Sequence, residues 1–389
     1  MRNLSKILLT ILITSVLTLV FSMVAVCLFF LKVDFPFEKL IKIGSIIDSS
    51  YVGEYDIEEC EENAINAVLG SINDKYAVYY DEENAKETMQ LLDGYYVGIG
   101  TEIFANIDKN RIEVVSAYQD SPADKAGIVS GDLIVAIDGK EYTADSIADA
   151  VLYMKGVNID DALNKIVCIT IMRNGDTFDV QLKRAKIDMY KVTSEIIDNI
   201  CYIRYSGFTQ GSYDALKKIV DSMDGKNVSG IVIDVRNNPG GEFGSAIDLC
   251  DLFLDNGMIM YTVDKDGDKN VYNATKGKCE LPLAIIVNGS SASASEILAG
   301  SLQARGRAVI VGEKTYGKGV SQTLRYINPL DESEGAIKLT TCKNYTPDGK
   351  WINESIIPDI EASVQKLQGN IREDAAFIAA AEYLKTKYE

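Results

Sequence analysis

Beyond residue 185 the sequence repeats one pattern, an apolar run of strand formers, a turn rich in glycine or asparagine, then a stretch with helical spacing. NICYIRYSGF leads into GSYDALKKIVDSM, and GIVIDVR leads into NNPGGEFGSAIDLCDLFL. LPLAIIVNG, SASEILAGSLQARG and RAVIVGE then give strand, helix and strand again. A short run that is apolar throughout suits a strand buried on both faces, because successive side chains of a strand point to opposite sides. Such strands alternating with helices predict a mixed α/β fold, a layered sheet covered by helices. REDAAFIAAAEYL adds a terminal helix.

The chemistry is constrained by a missing residue. The chain has no histidine, which excludes Ser-His-Asp triads, Cys-His pairs and HExxH zinc sites. Its seven cysteines show no CxxC spacing, so they read as free thiols and suggest neither zinc nor redox chemistry. No metal and no other cofactor is expected. DKDGDKN (264–270) resembles a calcium loop superficially, but its glycine stands fourth rather than sixth and Thr275 occupies the place of the terminal Glu. It reads as a hairpin turn.

Four serines crowd into NGSSASASE (288–296), between a strand and a helix. A serine nucleophile needs a base, and without histidine the candidate is lysine. A lysine at its ordinary pKa of about 10.4 is protonated at neutral pH, but burial lowers that value and frees the amine. GEKTYGKG (312–319) places Lys318 between two glycines after an apolar strand. The same segment matches a phosphate-binding loop up to G-K, but Gly319 stands where Ser or Thr should hold magnesium. VSQTLRYI, which follows, is rich in strand formers where that motif requires a helix. Ser293-Ala-Ser-Glu296 also has the form of a capping box, so Ser293 as a helix cap competes with Ser293 as a nucleophile, and Ser290 or Ser291 can serve as the cap instead. A serine in the first helical turn remains compatible with catalysis, because the helix dipole there favours a developing anion. Fully extended, Lys318 and Gln322 would lie about 13 Å apart, so bringing them together requires the chain to fold back at Gly319.

These motifs carry a resemblance. NGSSASASEILAGSLQARGRAVIVGEKTYGKGVSQ (288–322), RNNPGGEFGSAIDL and YTPDGKWI…IIPDI are similar to the carboxy-terminal processing peptidases, or tail-specific proteases. The resemblance implies a serine endopeptidase with a Ser-Lys-Gln constellation at Ser293, Lys318 and Gln322. It implies an oxyanion hole drawn from the N–H groups of Gly240 or Gly241 with Ala294. It also implies a crotonase-like ββα protease core with an inserted PDZ domain, an N-terminal helical region and a transmembrane helix. One departure is Ser355, which stands where the family has glycine before the IPD segment.

Residues 96–185 form a separate, mostly β pattern. YVGIGTEIFA and RIEVVSAY read as strands, and hairpins turn at Asp138-Gly139 and Asn174-Gly175. SPADKAGIVSGDLIVAIDG (121–139) resembles a PDZ signature. There the N–H groups around Gly98, Ile99 and Gly100 would bind a peptide carboxylate, and the next strand would pair with the peptide. The implied partners are protein or peptide substrates with free C-termini, and homodimers occur among related enzymes.

The apolar run 7–31 is long enough to cross a bilayer, and Arg2 and Lys6 before it favour a cytoplasmic N-terminus. The reading is a bacterial single-pass membrane protein with an uncleaved signal anchor and its catalytic part outside the cytoplasm. A net charge of −18 disfavours nucleic acid as a partner. The expected organisation is a cytoplasmic tail (1–6), signal anchor (7–31), N-terminal helical region without visible chemistry (36–95), PDZ domain (96–185), Ser-Lys protease core (186–362) and C-terminal helix (363–389). The alternative function is a catalytically silent PDZ scaffold, against which the intact Ser293, Lys318 and Gln322 argue.

Overall fold

The computed structural model describes residues 37–92, 94–118, 121–155, 162–189, 191–223, 225–275, 279–364 and 370–386, with Thr14, Ser15 and Thr18. The expected membrane anchor, apart from those three residues, lies outside the described residues. Among the described residues no helix is long and apolar enough to cross a membrane. The chain divides into two compact units, residues 1–64 and 65–389. The first holds the helix Glu38–Ser50, none of whose residues is buried. Residues 65–95, grouped by sequence with the N-terminal helices, belong to the second unit.

The main sheet of the second unit has six strands in the order Val192–Ile197, Ile200–Tyr205, Gly230–Asp234, Leu283–Val287, Ala308–Gly312 and Ile360–Glu361. The first two pair antiparallel and the rest run parallel. Ile231 and Ile233 pack on one face with residues of the helices Gln210–Asp221, Phe243–Phe253 and Ala294–Ala304. Val232, between them, packs on the other face with Phe377, Ala380 and Leu384 of the terminal helix Ala375–Thr386. Both faces are therefore covered, and this is why the strands are apolar throughout. Each fully buried Ile or Leu contributes about 1.5–3 kcal/mol. Three neighbouring parallel strands end at Asp234, Val287 and Gly312. Because they are parallel, the turns 235–242, 288–293 and 313–319 leave the sheet at the same end, as ligand-binding loops of α/β sheets do.

A second sheet is built on the long strand Ala336–Tyr345, which pairs with Val320–Tyr326, Val78–Tyr80 and Met258–Val263. Met258–Val263 forms a hairpin with Lys269–Asn273. In its turn Asp264 Oδ1 accepts the N–H groups of Asp266 and Asp268 at 2.9 and 3.0 Å. The DKDGDKN segment is thus a hairpin turn, as its sequence suggested.

The β module has strands in the order Thr101–Asn106, Arg111–Ala117, Leu133–Ile137, Ile166–Arg173 and Asp176–Lys183. Its hairpins turn at Asp138-Gly139 and Asn174-Gly175, all four residues having positive φ, as type I′ turns require. Ile112, Ile134, Ile169 and Leu182 pack with Ala150 and Met154 of the helix Ile147–Lys155. Thr101–Asn106 is an edge strand, with Arg111–Ala117 on its paired side.

Candidate active site

Ser293 is the N-cap of the helix Ala294–Ala304 and has φ 54° and ψ −112°. A non-glycine residue in such a region stores roughly 1–3 kcal/mol and persists only where its surroundings impose it. Those surroundings commit the neighbouring serines. Ser291 Oγ donates to the Val235 carbonyl at 2.8 Å, and Ser295 Oγ to the Asn238 carbonyl at 2.9 Å, both buried. Ser293, half-buried, makes no side-chain cap bond. The closed half of its pairing with Glu296 runs from the Ser293 N–H to Glu296 Oε2 at 2.9 Å, while the Glu296 N–H goes to the Ser293 carbonyl.

Glu296 does more than cap a helix. It is completely buried, and besides Ser293 it accepts three hydrogen bonds from the lysine loop. Thr315 Oγ1 and the Gly317 N–H donate to Oε1, both at 2.6 Å, and the Lys318 N–H donates to Oε2 at 2.8 Å. One carboxyl oxygen therefore bridges the backbones of Ser293 and Lys318. The S-x-x-E spacing was visible in the sequence, but it signals a cap and says nothing of the second loop.

Glycines on either side of Lys318 allow its loop to pack closely. Gly317 has φ 90°, and a methyl group there would lie 2.7 Å from Ser355 Oγ; on Gly319 it would lie 2.0 Å from the Asn353 nitrogen. Ser355 itself has φ 69°, which accounts for the glycine expected at that position. The Lys318 amine lies over the Tyr76 ring, 4.9 Å from its centroid. Burial, with Lys338 and Lys75 nearby, pushes its pKa below the ordinary lysine value, and Glu296 opposes that shift.

Gln322 lies on the strand Val320–Tyr326. Gly319 needs to be glycine for the close approach of Asn353. The strand Val320–Tyr326 starts immediately after it, and the register changes at a bulge between Ser321 and Gln322, which re-aims a side chain. Gln322 Nε2 rests 3.4 Å from Thr340 Oγ1. Among the described residues no hydrogen bond joins Ser293, Lys318 and Gln322 side chains to one another.

The turn 236–241 is anchored at the sheet end. The buried Arg236 pairs with Asp234, its Nη2 at 2.6 Å from Oδ2, and with Asp374 at 2.8 Å. Asn238 Nδ2 donates to the Tyr205 carbonyl at 2.8 Å, and its Oδ1 accepts the Gly240 N–H at 2.9 Å. Gly240 touches the serine turn, since a methyl group there would lie 2.9 Å from the Ala294 nitrogen and from Ser293 Cβ. The N–H groups of Gly241 and Ala294 have no partner of their own among the described residues.

In the β module, Gly98, Ile99 and Gly100 join the strands Tyr95–Gly98 and Thr101–Asn106. The Ile99 and Gly100 carbonyls are taken by the N–H groups of Ala123 and Tyr118, both at 2.9 Å. The loop borders a cavity of about 310 Å³ that also meets Ile103, Val151 and Met154, so it runs between the edge strand and the helix Ile147–Lys155. Lys155, beside it, pairs with Glu87 at 2.6 Å.

Residues 199–362 match peptidase family S41, and residues 113–159 match the PDZ domain. A carboxy-terminal-processing protease of Bartonella bacilliformis is 36% identical over 83% of this chain and 75% of its own length. The carboxy-terminal processing protease CtpA of Bacillus subtilis is 33% identical over 85% of this chain and 70% of its own. Among solved structures, a photosystem II D1 C-terminal processing protease shares the fold, with TM-score 0.52 and 24% identity over 87% of this chain and 90% of that one.

Proposed function

The chain belongs to peptidase family S41, among its carboxy-terminal processing serine proteases, and from that premise we propose that it cleaves extracytoplasmic proteins near their C-termini with Ser293 and Lys318. The observation that carries this reading is the bridge through Glu296, which holds the backbones of the two residues on one carboxyl group. In the first step the neutral Lys318 amine takes the Ser293 hydroxyl proton as Oγ attacks the scissile carbonyl. The oxyanion forms at the helix N-terminus, where the N–H groups of Ala294 and Gly241 stabilise it. Gly241 suits this role better than Gly240, whose N–H is bonded to Asn238. Lys318 then returns its proton to the leaving amine, and water, deprotonated by the same lysine, hydrolyses the acyl-serine. Gln322 orients the amine during these transfers. The sheet and its helices support a crotonase-like core.

The PDZ domain presents the substrate. A C-terminal carboxylate binds the N–H groups around Gly98, Ile99 and Gly100, and the peptide pairs with the edge strand Thr101–Asn106. Amidating the C-terminus of a peptide substrate should therefore raise KM several-fold with little change in kcat. Equal kinetics for the free and amidated peptides would argue against C-terminal presentation.

The apolar run 7–31 anchors the chain in the membrane with its protease part outside the cytoplasm. The full chain should stay with membranes through an alkaline carbonate wash and be released when residues 1–31 are removed. Release of the intact chain would overturn the anchor.

A further inference from the structure

The Tyr76 ring meets two lysine side chains at once. Lys318 Nζ stands 4.9 Å from the ring centroid and Lys75 Nζ 4.8 Å from it. The ring is held in place by its own segment. The Tyr76 N–H donates to Asp74 Oδ1 at 3.0 Å, and Asp74 Oδ2 accepts the Thr340 N–H at 3.0 Å. Thr340 Oγ1 donates to Asp74 Oδ1 at 3.1 Å and lies 3.4 Å from Gln322 Nε2. The segment 74–76 is thus hitched to the strand opposite Gln322, with its aromatic ring under the Lys318 amine. The catalytic steps above leave that ring without a role.

Resting on the reading of Lys318 as general base, we propose that Tyr76 is a positioning residue whose ring face holds the Lys318 ammonium and releases the amine once it is neutral. The ring quadrupole attracts a cation and has little hold on an uncharged amine. The amine is therefore retained when it carries a proton and is free to swing towards Ser293 when it can act as a base. Other groups face the same amine. Lys338 of the strand Ala336–Tyr345 and Lys75 repel its charge, Glu296 attracts it, and burial disfavours it. Lys338 is itself fixed, its Nζ 2.7 Å from the Tyr80 hydroxyl. The Tyr76 ring thus favours the protonated form against two neighbouring cations, and removing it must move the Lys318 ionisation to lower pH.

The test is the pH dependence of kcat/KM for a peptide substrate, using the full chain. Tyr76→Phe keeps the ring face and should leave the rising limb in place. Tyr76→Leu, and Tyr76 replaced by trifluorophenylalanine, should move the limb down by between about half and one and a half pH units, which is the strength of a cation–π contact expressed as a pKa change. The fluorinated ring keeps the shape while withdrawing the negative face, so it decides the matter if the leucine variant does not fold. A limb that stays put in the fluorinated variant, moves upward, or shifts equally in Tyr76→Phe would overturn the proposal. A rising limb that persists in Lys318→Arg would instead sink the assignment of Lys318 as the base.

Discussion

Peptide cleavage should fall by at least about a thousandfold in both Ser293→Ala and Lys318→Arg, with folding unchanged. The serine variant removes the proposed nucleophile from a half-buried position where its side chain makes no cap hydrogen bond. The arginine variant is the more discriminating one. A guanidinium keeps charge and reach, and it stacks on an aromatic face as an ammonium does, so the Tyr76 ring can still receive it. It does not lose its proton in the accessible pH range, so it fails as a base. A structural role for the Lys318 charge predicts an active arginine variant; a base predicts an inactive one. Wild-type activity should rise with pH along a single limb lying below the ordinary lysine value, because burial, Lys338 and Lys75 all favour the neutral amine. With no histidine in the chain, no histidine limb near pH ~6.5 accompanies it. Circular dichroism and thermal unfolding would confirm that both variants fold.

Glu296→Gln should be almost as damaging, and for a different reason. The two side chains have the same shape, but glutamine replaces one acceptor oxygen by a donor. Whichever oxygen is lost, two donors are left facing an NH₂ group: Thr315 Oγ1 with the Gly317 N–H, or the N–H groups of Ser293 and Lys318. Thr315 gives little relief, because turning its hydroxyl to accept the NH₂ as well as the Ile356 N–H would leave its own proton without the Glu296 acceptor. Leaving a buried donor unpaired costs about 1–3 kcal/mol, so the expected loss is about 2–6 kcal/mol of stability. The serine turn and lysine loop would part at the same time, and cleavage should drop by at least about a hundredfold. Urea unfolding and steady-state kinetics measure both effects. A variant with wild-type stability and activity would show that the bridge is dispensable.

Much of this was legible in the sequence wherever the signal was local. The apolar runs at Gly230–Asp234, Leu283–Val287 and Ala308–Gly312 are buried on both faces, and their composition announced it. The asparagine-glycine and aspartate-glycine hairpins of the β module lie where turn chemistry placed them. What remained hidden depended on residues distant in the chain. Glu296 was visible as a cap, but its three bonds to the lysine loop arise only when parallel strands bring the two turns to one end of the sheet. Tyr76 lies in a polar stretch that carried no sign of chemistry. It reaches Lys318 through the pairing of Val78–Tyr80 with Ala336–Tyr345, and strand pairing between remote segments leaves no local mark. The close approach of Gly319 to the backbone of Asn353 is likewise something no spacing rule anticipates.

If Ser293 is a nucleophile activated by Lys318, it should react with a fluorophosphonate in the folded chain, where peptide mass spectrometry locates the adduct. The adduct should form on Ser293 in the wild type and be reduced at least about a hundredfold in Lys318→Arg. An adduct on Ser291 or Ser295, or equal labelling of Ser293 in the arginine variant, would contradict that role.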